Sequence, residues 1–370
     1  VRRVVLEELP MKFCSRTAAV LFFCMFFLNA LPLRASQDTM KKEIALGEKV
    51  AADVEKQWER VADPALSARL SMLLGRFLPH LSRPLPYEVR IVREKMVNAF
   101  SLPGGIVYFT TGMLDFLRTD AEVAAILAHE LIHADRRHVM IQTARASKIN
   151  LAALVLMIAS QGSAGPMILT NLAQVAVTNS YGRDLEREAD KEGFRILLEA
   201  GFPPAAMVTS LEAMIYDQLK RPYVDPGVFM THPELSERVA YILQTAREKN
   251  VPIRRKKALN LLRPSVESRE GKTVLLLDGD PVWSLPESGE SRAAAVNAAE
   301  KIDDLLQMET APYEIQIISL DGKNALRVGP SIIAREPLPK GAGTLESFRE
   351  SLVQSLGEAR NKHPGAKYLH

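Results

Sequence analysis

The sequence predicts an α+β protein: a mainly helical domain with a small β-hairpin or edge-strand element, followed by a small C-terminal α+β domain. Three observations carry this. Up to about Glu248, apolar residues recur mostly at helical spacing. Two short runs, Tyr87–Val92 and Ile106–Thr110, alternate with the period of a strand. Beyond Arg263 the pattern changes to short strands with Asp-Gly turns and two interleaved helices.

Taken in order, Ile44, Val50 and Val54, then Leu66, Leu70, Leu73 and Leu74, predict two helices between Met40 and about Leu81, broken around Asp63-Pro64. Asn98-Ala99-Phe100, the turn Pro103-Gly104-Gly105 and the strand Ile106–Thr110 read as a hairpin-like element. Thr119-Asp120-Ala121-Glu122 is a capping-box pattern, so a helix starts there and runs toward Gln142. The apolar stretch from Leu151 to Val177 is interrupted by Gln161–Pro166, and neither half reaches the roughly 20 apolar residues of a membrane span. Core or interfacial helices are expected there. A helix from Asp184 to Ala200 ends at Gly201 and Pro203-Pro204, and another runs from Glu234 to Glu248.

The run Arg254-Arg255-Lys256-Lys257 reads as a solvated lead into a linker at 263–271, which separates a domain at 36–262 from one at 272–370. In the second, strands at Thr273–Leu277, Val282–Leu285, Tyr313–Leu320 and Ala325–Val328 alternate with helices at Arg292–Leu306 and Leu345–Ala359. No internal repeat stands out. No motif of chemistry does either, so binding or regulation is the expected role of this module.

With 25% charged and 47% hydrophobic residues in 370, the chain is no disordered or low-complexity polymer, and its length suits two domains. The net charge of +3 vanishes once residues 1–35, with five basic and two acidic side chains, are set aside. A neutral body offers no footprint for a polyanion, which excludes nucleic acid as an expected partner. Residues 1–35 read as a signal peptide: Lys12 and Arg16 precede an apolar run from Ala18 to Leu28, with cleavage expected after Ala35. Cys14 and Cys24, the two cysteines, lie within it, as suits export to an oxidising compartment.

The chemistry lies in His129-Glu130-Leu131-Ile132-His133. Two imidazoles four residues apart share a helix face and point at one ion, while Glu130 stands beside them to take a proton from a water. The helix is apolar around the motif, and burying two histidines and a glutamate there is costly unless a metal satisfies them. A catalytic zinc takes three protein ligands and keeps a fourth position open. Glu186, in Leu185-Glu186-Arg187-Glu188-Ala189-Asp190, is the candidate third ligand. Asp190 shares its face and is placed to fix a ligand histidine's tautomer, whereas Glu188 points elsewhere.

These marks, with Asn98-Ala99-Phe100, Arg137-His138 and Thr231-His232-Pro233 followed by Arg238, resemble the zinc metallopeptidases that include HtpX, BepA and the CAAX prenyl protease, the forty-eighth metallopeptidase family. The resemblance covers about Lys42 to Gln244. Without the long membrane helices of HtpX and the prenyl protease, the chain resembles the soluble periplasmic branch of BepA. The resemblance implies a gluzincin endopeptidase with one Zn2+ per chain, His129, His133 and Glu186 as ligands and Glu130 as general base. It further implies a substrate-binding edge strand at Asn98, Gly104, Gly105, Ile106, Val107 and Tyr108, which takes up extended chains by backbone pairing. His232 is implied as a latch over the fourth position, and Arg238 as a group that then holds substrate or developing charge. The expected partners are unfolded or misassembled envelope proteins, with at most a peripheral membrane contact. The alternative is a periplasmic chaperone or assembly factor whose zinc site is latent or structural.

Overall fold

The computed structural model describes residues 38–160, 165–178, 181–220, 235–307 and 310–362. The fold is α+β, largely helical with small sheets. The leader and His232 lie outside the described residues.

The first sheet has three strands, β1 (Glu88–Val92), β2 (Ala99–Ser101) and β3 (Ile106–Thr110), in the order β1-β3-β2. The hairpin is there: β2 and β3 run antiparallel, pairing Phe100 with Tyr108 and Ser101 with Val107. The edge is not where the sequence suggests. β1 lies parallel to β3 on its other side, pairing Glu88 with Ile106, Val89 with Val107 and Arg90 with Tyr108, so these three residues sit in a buried central strand. Ile106, Val107 and Tyr108 therefore cannot offer an unpaired backbone to a substrate. Parallel pairing joins segments with no turn between them and leaves no local signal. The edge on that side belongs to β2, and the Asn98 side-chain amide beside it donates to the Val177 carbonyl at 3.0 Å, which ties it to the helix Gly165–Thr178.

The helix over residues 38–57 lies against the turn before β3. A Cβ on Gly47 would meet the Pro103 carbonyl oxygen at 1.9 Å, and one on Gly104 (φ 84°) would meet Ile44 Cα at 2.8 Å. Two glycines thus let helix and turn touch backbone to backbone. The next helix, Pro64–Phe77, is capped by the Asp63 side chain, with proline at its first position.

The histidine helix spans Asp120–Asp135, with the Thr119 hydroxyl accepting from the Glu122 N–H. It stops well short of Gln142. Arg137 takes left-handed backbone (φ 60°), and a new helix, His138–Ala146, begins after it. The break is tied down by Glu43, which is buried and paired with Arg137 at 2.8 Å and Arg83 at 2.6 Å. Asp135, at the helix end, accepts from Ser82, Arg83 and Tyr87. Helix Arg183–Glu199 packs across the histidine helix, with Gly193 lying against the backbone of His129. No described helix is long and apolar enough to cross a membrane.

The C-terminal unit holds two sheets, β4 (Pro264–Arg269), β5 (Lys272–Leu277) and β6 (Asp280–Pro286), then β7 (Ile315–Leu320), β8 (Lys323–Val328) and β9 (Ser331–Arg335), each antiparallel in sequence order. A helix follows each sheet, Gly289–Leu305 and Leu345–Lys362. The unit is a topological repeat that the sequence conceals, because the two halves share little beyond the turns Glu270-Gly271-Lys272 and Asp321-Gly322-Lys323, both with positive φ at their first two residues. Each helix packs on strands of both sheets, which fuses the halves around one core where Trp283 stacks on Phe348.

The segment read as a linker is mostly β4, paired along its length with β5; proline is tolerated at the first position of such an edge strand. Nor is the basic run simply solvated. Arg255 pairs with buried Glu212 at 2.7 Å, and buried Lys256 donates to the Leu262 carbonyl. Glu212 lies 43 residues from Arg255, so that partner is set by tertiary contact. Ala258 belongs to the first core and Leu259 to the second, which places the change of core there.

Candidate active site

Two crossing helices bring His129, Glu130 and His133 from one to Glu186 and Asp190 from the other, all buried. One ligand atom from each of His129, His133 and Glu186 lies within 4.8 Å of the others. The two Nε2 atoms stand 3.0 Å apart, and the Glu186 carboxylate lies 3.6 Å from His129 Nε2 and 3.5 Å from His133 Nε2.

The opposite ring nitrogens decide whether this cluster suits a metal. His129 Nδ1 is 2.9 Å from Asp190 Oδ1, and His133 Nδ1 is 2.9 Å from His138 Nδ1. Ionised Asp190 can only accept, so it holds the His129 proton on Nδ1 and leaves the Nε2 lone pair toward the cluster; the same tautomer of His133 has its Nδ1–H donating to His138 Nδ1. Two imidazoles and a carboxylate converging this way fit the donor set of a catalytic zinc site.

His138 lies five residues beyond His133, a position rotated by about 140° in a continuous helix. The break at Arg137 brings it back. Burial and the neighbouring His129 lower its pKa to about 4, so it is neutral at pH 7. The side chain of Glu188, half exposed, stands 3.6 Å from the outer nitrogen of His138 and away from the ligand cluster.

Arg238, on the helix Leu235–Glu248, closes the cluster from a third side. Nε and Nη2 donate to the two Asp190 oxygens at 2.7 and 2.6 Å, and Nη1 faces Glu186 at 3.2 Å. Tyr241 donates to the same Asp190 carboxylate. Burial would raise Asp190, but the Arg238 guanidinium and the hydrogen bonds from His129 and Arg238 hold it well below the usual carboxylate range. All three guanidinium nitrogens of Arg238 face carboxylates, an arrangement that favours fixing the ligand-bearing helices over holding substrate. Glu130 is shifted the other way: burial, reinforced by Glu186 and Asp190, raises it well above the ordinary range, with Arg238 and the Ser101 hydroxyl offsetting part of the rise.

This geometry agrees with what is found among known proteins: residues 64–246 match the family described as Peptidase family M48. Residues 64–246 are a peptidase family M48 domain. The chain is 28% identical over 211 residues to the beta-barrel assembly-enhancing protease of Escherichia coli, which covers 54% of this chain and 42% of that protein. To the mitochondrial metalloendopeptidase OMA1 of Arabidopsis thaliana it is 32% identical over 162 residues, 43% of this chain and 32% of that one. To the metalloprotease LoiP of Escherichia coli it is 29% identical over 162 residues, 43% and 62% respectively. The chain spans less than half the length of the assembly-enhancing proteases it matches.

Within the M48 domain the structure thus brings His129, Glu130, His133, Glu186, Asp190 and Arg238 together, and leaves Ile106, Val107 and Tyr108 in the interior of a sheet. Sequence reasoning passed over three residues of the site. The ring of Tyr181 stacks on His133, with centroids 4.1 Å apart, and Ser101 on β2 acts on both Glu130 and Tyr181. His138 was noted as a family mark without a role. Tyr181 stands five residues before Glu186, and only the fold of the intervening turn places it against His133.

Proposed function

We propose that the protein is a zinc-dependent metalloendopeptidase, with His129, His133 and Glu186 as ligands and Glu130 as general base. The observation that carries this is the convergence of the two Nε2 atoms and the Glu186 carboxylate beside a buried Glu130. Bound there, zinc supplies the Lewis acidity that acidifies a water and polarises a carbonyl. Glu130, whose burial raises its proton affinity, accepts the proton of the attacking water and passes it to the leaving amine. Asp190 holds His129 in its tautomer, and His138 does the same for His133. Arg238 clamps Asp190 beside Glu186 and so sets the distance between the two ligand-bearing helices.

The substrates we assign are unfolded or misassembled cell-envelope proteins, and the compartment is the periplasm. The name of the matching assembly-enhancing proteases and the signal-like leader support this assignment. One observation favours a second reading, an assembly factor or chaperone with a latent site: Glu130 is 1% exposed and His133 fully buried, so neither presents surface to solvent.

The test is cleavage of unfolded casein by the full chain, before and after chelation and after zinc is restored. Cleavage that disappears with the metal, returns with zinc and is absent in Glu130→Gln at equal zinc content supports the peptidase. Unchanged cleavage in Glu130→Gln rejects the assigned base. No cleavage under any condition, together with suppression of client aggregation, supports the second reading.

A further inference from the structure

Tyr181 is buried at 5% exposure, and its phenol oxygen has the Ser101 hydroxyl as a neighbouring polar side chain without a well-formed hydrogen bond to it. Its ring lies nearly parallel to His133, at 21° and 4.1 Å between centroids. The hydroxyl stands where the charges of Glu130 and Glu186, on the two crossing helices, both act on it. A phenylalanine would stack on His133 equally well without a buried hydroxyl, and burying one without a partner costs stability. The position calls for a donor whose acceptor arrives with the substrate.

We infer that Tyr181 is a catalytic residue of this peptidase, its O–H donating a hydrogen bond to the oxyanion that forms at the scissile carbonyl. The inference rests on the metallopeptidase reading. As the water oxygen bonds to the carbonyl carbon, Glu130 takes the water's proton and the carbonyl π pair moves onto oxygen. Tyr181 stabilises that charge and keeps its own proton. When the pair returns, the C–N bond breaks, its electrons leave with the nitrogen, and Glu130 delivers the proton there. A donor fixed where charge develops needs no reorganisation at the moment of reaction, which is why removing one such donor lowers kcat by about 10²–10³-fold.

The experiment uses Tyr181→Phe in the full chain, which keeps the stacked ring and removes the hydroxyl. Zinc content stays at one per chain, kcat falls about 100-fold and KM changes less than about threefold. A second readout needs no turnover: by calorimetry, a phosphinic-acid peptide that imitates the tetrahedral oxyanion binds Tyr181→Phe about 100-fold more weakly than wild type. In the Glu130→Gln background, binding of the uncleaved substrate peptide is the same with Tyr181 or phenylalanine. Equal affinity for the phosphinic peptide in wild type and Tyr181→Phe overturns the inference, as does loss of zinc from Tyr181→Phe. A wild-type chain that binds neither zinc nor the phosphinic peptide overturns the metallopeptidase reading, and this inference with it.

Discussion

Replacing Asp190 by alanine removes the acceptor shared by Arg238, His129 and Tyr241 at a fully buried position. Arg238 loses both short bonds, at 2.6 and 2.7 Å, and keeps the 3.2 Å contact with Glu186 and a 3.4 Å approach to His129 Nδ1. Unit charges about 4 Å apart at an effective dielectric near 20 interact by about 4 kcal/mol, and breaking a buried pair costs about 3–5 kcal/mol. Because Glu186 still faces the guanidinium, the lower end applies, about 3 kcal/mol. The double variant Asp190→Ala/Arg238→Met removes both charges, so its loss is less than the sum of the single losses, by at least about 2 kcal/mol. Urea denaturation of the four metal-free proteins at pH 7 measures this cycle. Zinc competition then reads the second consequence, affinity about 10–100-fold lower in Asp190→Ala once His129 lacks its Nδ1 partner. Additivity within about 0.5 kcal/mol would refute the clamp.

Glu186→Ala lowers bound zinc measured by metal analysis, whereas Glu188→Ala, which alters a half-exposed side chain outside the cluster, leaves it unchanged; the reverse order moves the ligand by two residues. His138 has its folded pKa lowered to about 4 from an ordinary 6.5, so the unfolded chain binds the extra proton first. Its contribution to stability is therefore complete above pH 6.5 and is lost as pH falls toward 4, by up to about 3 kcal/mol. Stability profiles of metal-free wild type and His138→Gln should diverge over that window, and parallel profiles count against the assignment. Gly47→Ala drives a methyl onto the Pro103 carbonyl, where 1.9 Å is available, and should cost about 1–3 kcal/mol, seen as a lower melting temperature. An unchanged melting temperature there would mean that helix 38–57 does not rest on the turn before β3.

The sequence by itself determined where the two ligand-bearing helices begin and the chemistry carried along them. Thr119 and Glu122 mark where the histidine helix begins, and four-residue spacing puts His129 with His133, and Glu186 with Asp190, on shared faces. Those relations hold within one element, where helical geometry alone sets the distances. What joins different elements was left to the tertiary structure. The parallel partner of β3, the return of His138 through the left-handed Arg137 and the stacking of Tyr181 on His133 each depend on a contact between segments whose local sequence is neutral about it. So does the repeat in the C-terminal unit, where topology rather than residue identity is shared between the halves, since a strand needs only an apolar face toward the core. Ligand identity is a local property of a helix; the orientation of the ligands is decided by how helices, turns and strands pack.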